Sequence, residues 1–149
     1  MPYITEAHLE SELSYDITAS TQPTSTEVTD IIADIQAEVE GRLFAAGVSV
    51  SGLDEITTPV AWRGVKQINL WGAASRIIAS AGGLIRAQTG KEENYWTRYQ
   101  ERLAAIAEDP RILGSDTPFA AGSDALEFSY ITSDDDEYND PIFRTRDEF

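Results

Sequence analysis

The chain has 149 residues, of which 26 are acidic and 11 basic, giving a formal net charge of −15; one domain with an extension is expected, and general affinity for nucleic-acid phosphates is disfavoured. Cysteine is absent and His8 is the single histidine, which excludes disulfides, thiolate metal sites and multi-histidine metal sites. No stretch approaches the roughly 18 apolar residues of a membrane helix, and the acidic N-terminus is unlike a secretory signal, so a soluble, unprocessed chain is expected.

The acidic residues are unevenly distributed. Met1–Thr58 carries 11 acidic and 1 basic residues, Pro59–Leu113 carries 5 and 8, and Gly114–Phe149 carries 10 and 2. The plain interpretation of this acidity is solubility. A sharper one is a surface along which DNA slides without sticking, and a third is imitation of DNA.

The first predicted helix covers Tyr3 to Leu13, with Thr5 as its N-cap and Glu6 in the first turn, where the helix dipole favours a negative charge. A loop rich in serine and threonine follows, from Ser14 to Pro23.

The second predicted helix begins with a capping box formed by Thr24 and Glu27 and ends near Gly47, a residue suited to a left-handed C-cap. Apolar residues recur at three- and four-residue steps and define one stripe: Val28, Ile31, Ile32, Ile35, Val39 and Leu43. The acidic residues off this stripe are Asp30, Asp34 and Glu40.

The third predicted helix begins with Thr58 as a hydroxyl cap and Pro59 at the first helical position, and it runs to about Ala81. Its apolar residues cover more than one face, which is typical of a central helix. They are Val60, Val65, Ile68, Leu70, Trp71, Ala74, Ile77 and Ile78.

The fourth predicted helix runs from about Lys91 to Glu108 and ends before Pro110, while Leu84–Gly90 fits either a helical turn or a loop. Its predicted buried stripe consists of Tyr95, Trp96, Tyr99, Leu103 and Ile106. All three tryptophans are assigned to core packing in preference to ligand stacking: Trp62, Trp71 and Trp96.

The predicted fold class is mainly α: a small bundle of about four helices over residues 1–113, with an extended acidic C-terminal arm over 114–149. The segment Gly114–Gly122 is typical of a linker. Beyond it Leu126, Phe128 and Tyr130 alternate with polar residues, which predicts a short strand. The acidic run at Asp134–Glu137 favours an extended chain.

The arm carries apolar residues that a purely solubilising tail does not need. We expect it to order against a neighbouring subunit or another protein; packing on its own helices and disorder are the alternatives. The candidate partner-binding residues of the arm are Leu126, Phe128, Tyr130, Ile142 and Phe143.

The sequence predicts no catalytic residue, no cofactor and no metal. The Gly83–Lys91 segment is superficially similar to a phosphate loop, but its glycine spacing is too long and Glu92 occupies the Ser or Thr position. The run Asp134–Asp140 lacks the glycine and the ligand spacing of a calcium loop. His8 has no nucleophile placed beside it, so we expect the protein not to be an enzyme.

The helix pattern resembles the head-to-tail adaptor (connector, or head-completion) family of tailed bacteriophages. The resemblance covers Tyr3 to Leu113 and consists of a short opening helix, a capped helix, a Pro59-initiated central helix and an aromatic fourth helix. Its residues are Tyr3, Ile4, Thr5 and Leu9; Ile31, Ile32, Ile35, Val39 and Leu43; Val65, Ile68, Trp71, Ala73 and Ala74; and Tyr95, Tyr99, Leu103 and Ile106.

The resemblance implies a structural virion protein at the head–tail interface, assembled in the host bacterial cytoplasm. It implies a ring of identical subunits, commonly twelve, that docks beneath the portal, continues the DNA channel and receives a tail or stopper protein. DNA would pass without specific binding, and no membrane contact is expected. The channel-facing candidates are Asp30, Asp34, Glu38 and Glu40.

Two other functions stay open from the sequence. The first is an acidic inhibitor that imitates DNA and occupies a DNA-binding protein, although the mildly basic Pro59–Leu113 region argues against it. The second is another ring-forming protein of the tail or neck.

Overall fold

The computed structural model describes residues 2–81 and 89–120, and it confirms the mainly helical fold class. Four helices form the bundle: α1 (Glu6–Leu13), α2 (Ser25–Ala45), α3 (Pro59–Ser80) and α4 (Thr89–Glu108). Short 3₁₀ helices lie at Val50–Gly52 and Pro110–Leu113. No sheet occurs within the described ranges, where β-structure is limited to an isolated bridge between Val48 and Phe119. The predicted strand at Leu126–Tyr130 lies outside these ranges.

The N-terminus of α1 is stabilised by the one histidine of the chain. His8 Nδ1 accepts a hydrogen bond of 3.0 Å from the backbone N–H of Thr5 and lies 2.8 Å from the Thr5 hydroxyl. This arrangement is a capping box in which an imidazole takes the place usually filled by a glutamate. Side-chain hydrogen bonds then attach α1 to the bundle, from Ser25 to Glu6 and from Tyr95 to Glu12, both at 2.8 Å.

Both predicted ends of α2 are confirmed. The Thr24 backbone N–H donates to Glu27 at 2.7 Å, and the Thr24 hydroxyl oxygen accepts from the Glu27 backbone N–H. At the other end Gly47 has a φ of 81°, and the Val48 N–H donates to the Leu43 carbonyl at 2.9 Å. That hydrogen bond spans six residues and defines a Schellman C-cap, which requires the left-handed conformation at Gly47.

The start of α3 corrects one detail of the sequence interpretation. Thr58 stands at the N-cap, but its hydroxyl makes no capping hydrogen bond and instead donates to the Asp54 carbonyl at 3.0 Å. Asp116 caps the helix from a distant part of the chain: its carboxylate accepts hydrogen bonds of 2.8 Å from the N–H groups of Val60 and Ala61. A carboxylate at this position also interacts favourably with the helix dipole.

As predicted, α3 is the central helix, and it packs against α1, α2, α4 and the 3₁₀ helix Pro110–Leu113. Helices α2, α3 and α4 approach one another closely at Gly72, where an added Cβ would lie 2.8 Å from Tyr99 and 3.0 Å from Ile35. The largest fully buried side chains of the core are Tyr99, Ile4, Leu9, Leu13, Ile35, Leu43, Ile68, Ile77, Ile106, Val28, Val39 and Val48.

The tryptophans are less buried than the sequence pattern predicts. Trp96, assigned to the buried stripe of α4, is 45% exposed, and its ring lies 5.6 Å from that of Tyr99. Trp62 and Trp71 are partly buried at the edge of the core. The expected core role is therefore correct in part for Trp62 and Trp71 and wrong for Trp96. Trp96 directly follows the buried Tyr95, so it points away from the apolar side of α4.

The segment after Leu113, which has the composition of a linker, packs on the bundle as far as Ala120. Besides the Asp116 cap, the Ser49 N–H donates to the Pro118 carbonyl at 2.8 Å and the Ala120 N–H donates to the Gly47 carbonyl at 2.9 Å. Thr117 is buried. The folded body therefore continues beyond the predicted boundary at 113, because the Asp116 carboxylate satisfies N–H groups at the start of α3 and the backbone of Pro118 and Ala120 pairs with the backbone just after α2.

Candidate interaction surfaces

One side of α2 carries a row of carboxylates. Glu27, Asp30, Asp34 and Glu38 follow one another at three- and four-residue steps, so they lie on the same side of the helix over roughly 16 Å. Asp30 and Asp34 are exposed and Glu38 is partly buried. Three of the four predicted channel-facing residues therefore share one side of α2.

Arg76 of α3 lies beside this row and neutralises part of it. Its guanidinium is 3.2 Å from the Glu38 carboxylate and 3.8 Å from that of Asp34. Both contacts are solvent-accessible, so each contributes at most about 1 kcal/mol to stability. At the N-terminal end of the row, no lysine or arginine of the described residues lies within ion-pair distance of Glu27 or Asp30.

Behind Glu38 lies the buried ring of Tyr99, which joins α4 to α2 and α3. Burial, followed by the negative charge of Glu38, raises the pKa of the Tyr99 hydroxyl well above its usual value of 10.0. The hydroxyl is buried without a hydrogen bond of ordinary geometry to a described residue. The C-terminal end of the row, at Glu38, therefore lies next to the buried core.

The fourth predicted residue, Glu40, lies on the other side of α2. It accepts a hydrogen bond of 2.8 Å from the Gln36 amide and approaches the hydroxyl of Tyr3. Burial of Tyr3 and, secondarily, the Glu40 charge raise the pKa of Tyr3 to about 12. The four candidates are therefore not one cluster, since Glu40 belongs to a separate cleft.

That cleft, here called the Tyr3 cleft, has a volume of about 530 Å³. It lies between the N-terminal segment, α2, the loop around Val50–Gly52 and the start of α3. Its residues combine an apolar floor with acidic groups: Tyr3, Glu40, Val50, Ser51, Leu53, Asp54, Glu55, Ile56 and Trp62. The rings of Tyr3 and Trp62 pack 4.6 Å apart at 51°.

Sequence reasoning did not identify the Tyr3 cleft. Its residues come from the N-terminal segment, α2, the connection Val50–Ile56 and the start of α3, and Ile56 stands in that connection without a periodic pattern. Ile56 is 87% exposed, and Phe44 at the end of α2 is 75% exposed. An isolated large apolar residue in a turn was the one signal available, and it is a weak one.

Two kinds of site prediction remain. Some fall on residues outside the described ranges, and others are expectations that a site is absent. The arm candidates Leu126, Phe128, Tyr130, Ile142 and Phe143 lie outside the described residues. Within residues 2–81 and 89–120 no group of three potential metal ligands occurs, and no helix there has the length and apolar character needed to cross a membrane. His8 is occupied as the capping acceptor of Thr5.

Comparison with known protein families, with curated proteins and with solved structures finds no match for this chain. The geometry of the α2 row and of the Tyr3 cleft is therefore the basis for interpreting the function.

Proposed function

We propose that the chain is a structural virion subunit without catalytic activity, which forms a ring between the portal of a phage head and its tail. In this proposal, identical subunits, commonly twelve in such rings, dock on the portal protein and receive a tail or stopper protein. The ring continues the channel through which DNA passes without specific binding.

The carboxylate row of α2 is the observation that supports this proposal most strongly. A channel for DNA must repel phosphates along its length, and the row supplies negative charge at each turn of the helix over three turns. Asp30 and Asp34 are exposed, and Arg76 offsets one charge of the row. With every subunit contributing a row, the ring would line its channel with repeated carboxylates, which makes phosphate contacts unfavourable.

Exposed apolar side chains on the folded body support assembly. Phe44 and Phe119 lie near the end of α2, and Ile56 and Val60 lie at the start of α3; all four are more than one-third exposed. Aromatic and aliphatic residues of this kind are typical of the centres of protein interfaces. The proposal assigns them, together with the arm residues Leu126, Phe128 and Tyr130, to contacts between subunits or with the portal.

One truncated chain and one substituted chain test the assembly role. A chain ending at Ala120 keeps the Asp116 cap and the pairing with Gly47, so it should retain the helical circular dichroism and cooperative melting of the full chain. It should nevertheless fail to co-sediment with the portal protein of the same genome. A matched chain with L126A, F128A and Y130A should show the same loss.

Normal co-sedimentation of both variants would contradict the role of the arm. Salt-sensitive binding of the full chain to a basic DNA-binding protein, without binding to the portal, would favour the DNA-mimicking inhibitor instead.

A further inference from the structure

The Tyr3 cleft presents apolar surface that the described body leaves open. Trp62 is partly buried, Val50 is partly buried, and Ile56 is 87% exposed at the edge. A cleft with an aromatic floor and an aliphatic edge is suited to an inserted apolar side chain. The occupant should therefore carry at least one large aromatic or aliphatic residue.

The edge of the cleft is acidic. Glu40, Asp54 and Glu55 all line it, and no lysine or arginine of the described residues does so. The Asp54 carboxylate accepts hydrogen bonds from the backbone N–H groups of Ile56 and Thr57, which lower its pKa and keep it charged. The occupant should therefore place cationic groups next to its apolar ones.

One segment of this chain has that chemistry. Pro141–Arg146 reads Pro-Ile-Phe-Arg-Thr-Arg, and Arg144 and Arg146 are the two basic residues of Gly114–Phe149. They directly follow Ile142 and Phe143. Between Asp140 and Asp147, this stretch presents an apolar pair followed by two arginines, which is complementary to an apolar cleft with three carboxylates around it.

The described chain also ends close to the cleft. The Ala120 N–H donates a hydrogen bond to the Gly47 carbonyl, and the Pro118 carbonyl accepts one from the N–H of Ser49, which directly precedes the cleft residue Val50. Twenty-one residues, 121–141, separate Ala120 from Ile142, and such a chain reaches up to roughly 70 Å. A tether of this length gives a local concentration on the order of millimolar, which favours binding within the same chain over capture of a separate partner.

We propose that Ile142–Arg146 occupies the Tyr3 cleft of its own chain in the free subunit. Ile142 and Phe143 cover the aromatic floor, and the arginines pair with the acidic edge. This docking does not depend on the ring. If rings form, exchange of the segment into the identical cleft of a neighbour would join subunits at low cost, as in domain swapping.

Disulfide trapping in the full chain tests this docking, since the natural chain contains no cysteine. Ser51→Cys lines the cleft and Thr145→Cys stands between the two arginines, and neither change removes a charge or an apolar contact. In dilute solution this pair should form an intrachain disulfide at least about tenfold faster than a control pair of T97C and T145C, which places one cysteine on exposed α4 surface.

Two further variants establish the chemistry of the contact. In the first variant, F143A and R144E are added to the trapping pair, and the cross-link should slow to the rate of the control pair. In the second variant, the trapping pair carries R144E together with E55K, and part of the rate should return because the charges are exchanged. Equal rates in the trapping and control pairs would overturn the proposal. Cross-linked dimers in place of monomers would also overturn it, because they would place the segment in another copy, as in the assembled ring.

Discussion

The carboxylate of Asp116 accepts a hydrogen bond of 2.8 Å from the backbone N–H of Ala61, which lies 55 residues earlier in the chain. This contact joins the segment after the last helix to the first turn of the central helix. It holds the segment Gly114–Ala120 against the start of α3, next to the loop that lines the Tyr3 cleft.

Replacing Asp116 by Asn should lower the melting temperature and make the protein less sensitive to acid. Burial alone would raise the pKa of Asp116, but the backbone hydrogen bonds from Val60 and Ala61 outweigh it, and the pKa lies below its ordinary value of 3.8. The stabilisation is therefore fully present above pH 3.8 and is lost as pH falls through the lower folded-state pKa.

Thermal melting of the wild type and D116N across this acidic range checks the prediction. Asp16, an exposed residue of the loop before α2, provides the control variant D16N. A difference in melting temperature that stays constant down to the lowest pH would show that the charge of Asp116 does not act through the cap.

Two glycine substitutions should change stability in opposite directions. Gly72→Ala would place a methyl group 2.8 Å from the Tyr99 ring and 3.0 Å from Ile35, and overpacking of this kind costs about 1–3 kcal/mol. Gly41→Ala, in the interior of α2 with nothing within 4 Å of the new Cβ, should stabilise by about 1 kcal/mol through helix propensity.

Urea denaturation of the two glycine variants measures both effects. If G72A were as stable as G41A, the close approach of α2, α3 and α4 at Gly72 would be wrong.

In alkaline solution, the protein should begin to lose stability at a pH below the folded-state pKa of its buried tyrosines. Burial, together with Glu40 for Tyr3 and Glu12 for Tyr95, raises each pKa from 10.0 to about 12, and burial also raises that of Tyr99. A pKa raised by folding gives stability that is complete below pH 10 and is lost as pH rises toward 12.

The free energy of unfolding, measured in urea at several pH values, should therefore fall steeply in that interval. Tyr95→Phe removes one of the three contributions, so its stability should fall less steeply with pH. An identical slope in wild type and Y95F would contradict the role assigned to this hydroxyl.

If the α2 row lines a DNA channel as proposed, charge reversal in this row should impede DNA passage in particles. Asp30→Lys adds a cation to the row in every subunit, and lysines facing a channel would contact phosphates. Genome release should be several-fold slower than in the wild type, whereas Glu101→Lys on exposed α4 surface, with the same change of charge, should leave it unaltered. Equal rates of genome release for D30K and E101K would show that the α2 row does not line the channel.

The parts of the fold that were predicted from the sequence depend on local interactions. The Thr24–Glu27 capping box, Pro59 at the first position of α3 and Gly47 at the end of α2 each act within a few residues, so their patterns are visible in the chain. Asp116 could not be assigned as a cap in this way, because Thr58 offered a local alternative and only tertiary packing decides between the two.

In the candidate surfaces, too, features set by local spacing were predictable and features set by tertiary packing were not. Helical spacing alone separates Glu38 from Glu40, and the structure places them on different sides of α2 as the spacing requires. The Tyr3 cleft could not be predicted, because it forms where four segments meet. Trp96 was assigned to the core from its helical spacing, but its position on α4 leaves it 45% exposed.

Electron microscopy of the full chain mixed with the portal protein from the same genome, after removal of unbound chain, tests the central proposal most directly. The proposal predicts a ring of added density on one end of the portal, with α2 and its row of Glu27, Asp30, Asp34 and Glu38 facing the channel. Two well-folded proteins without added density would contradict it.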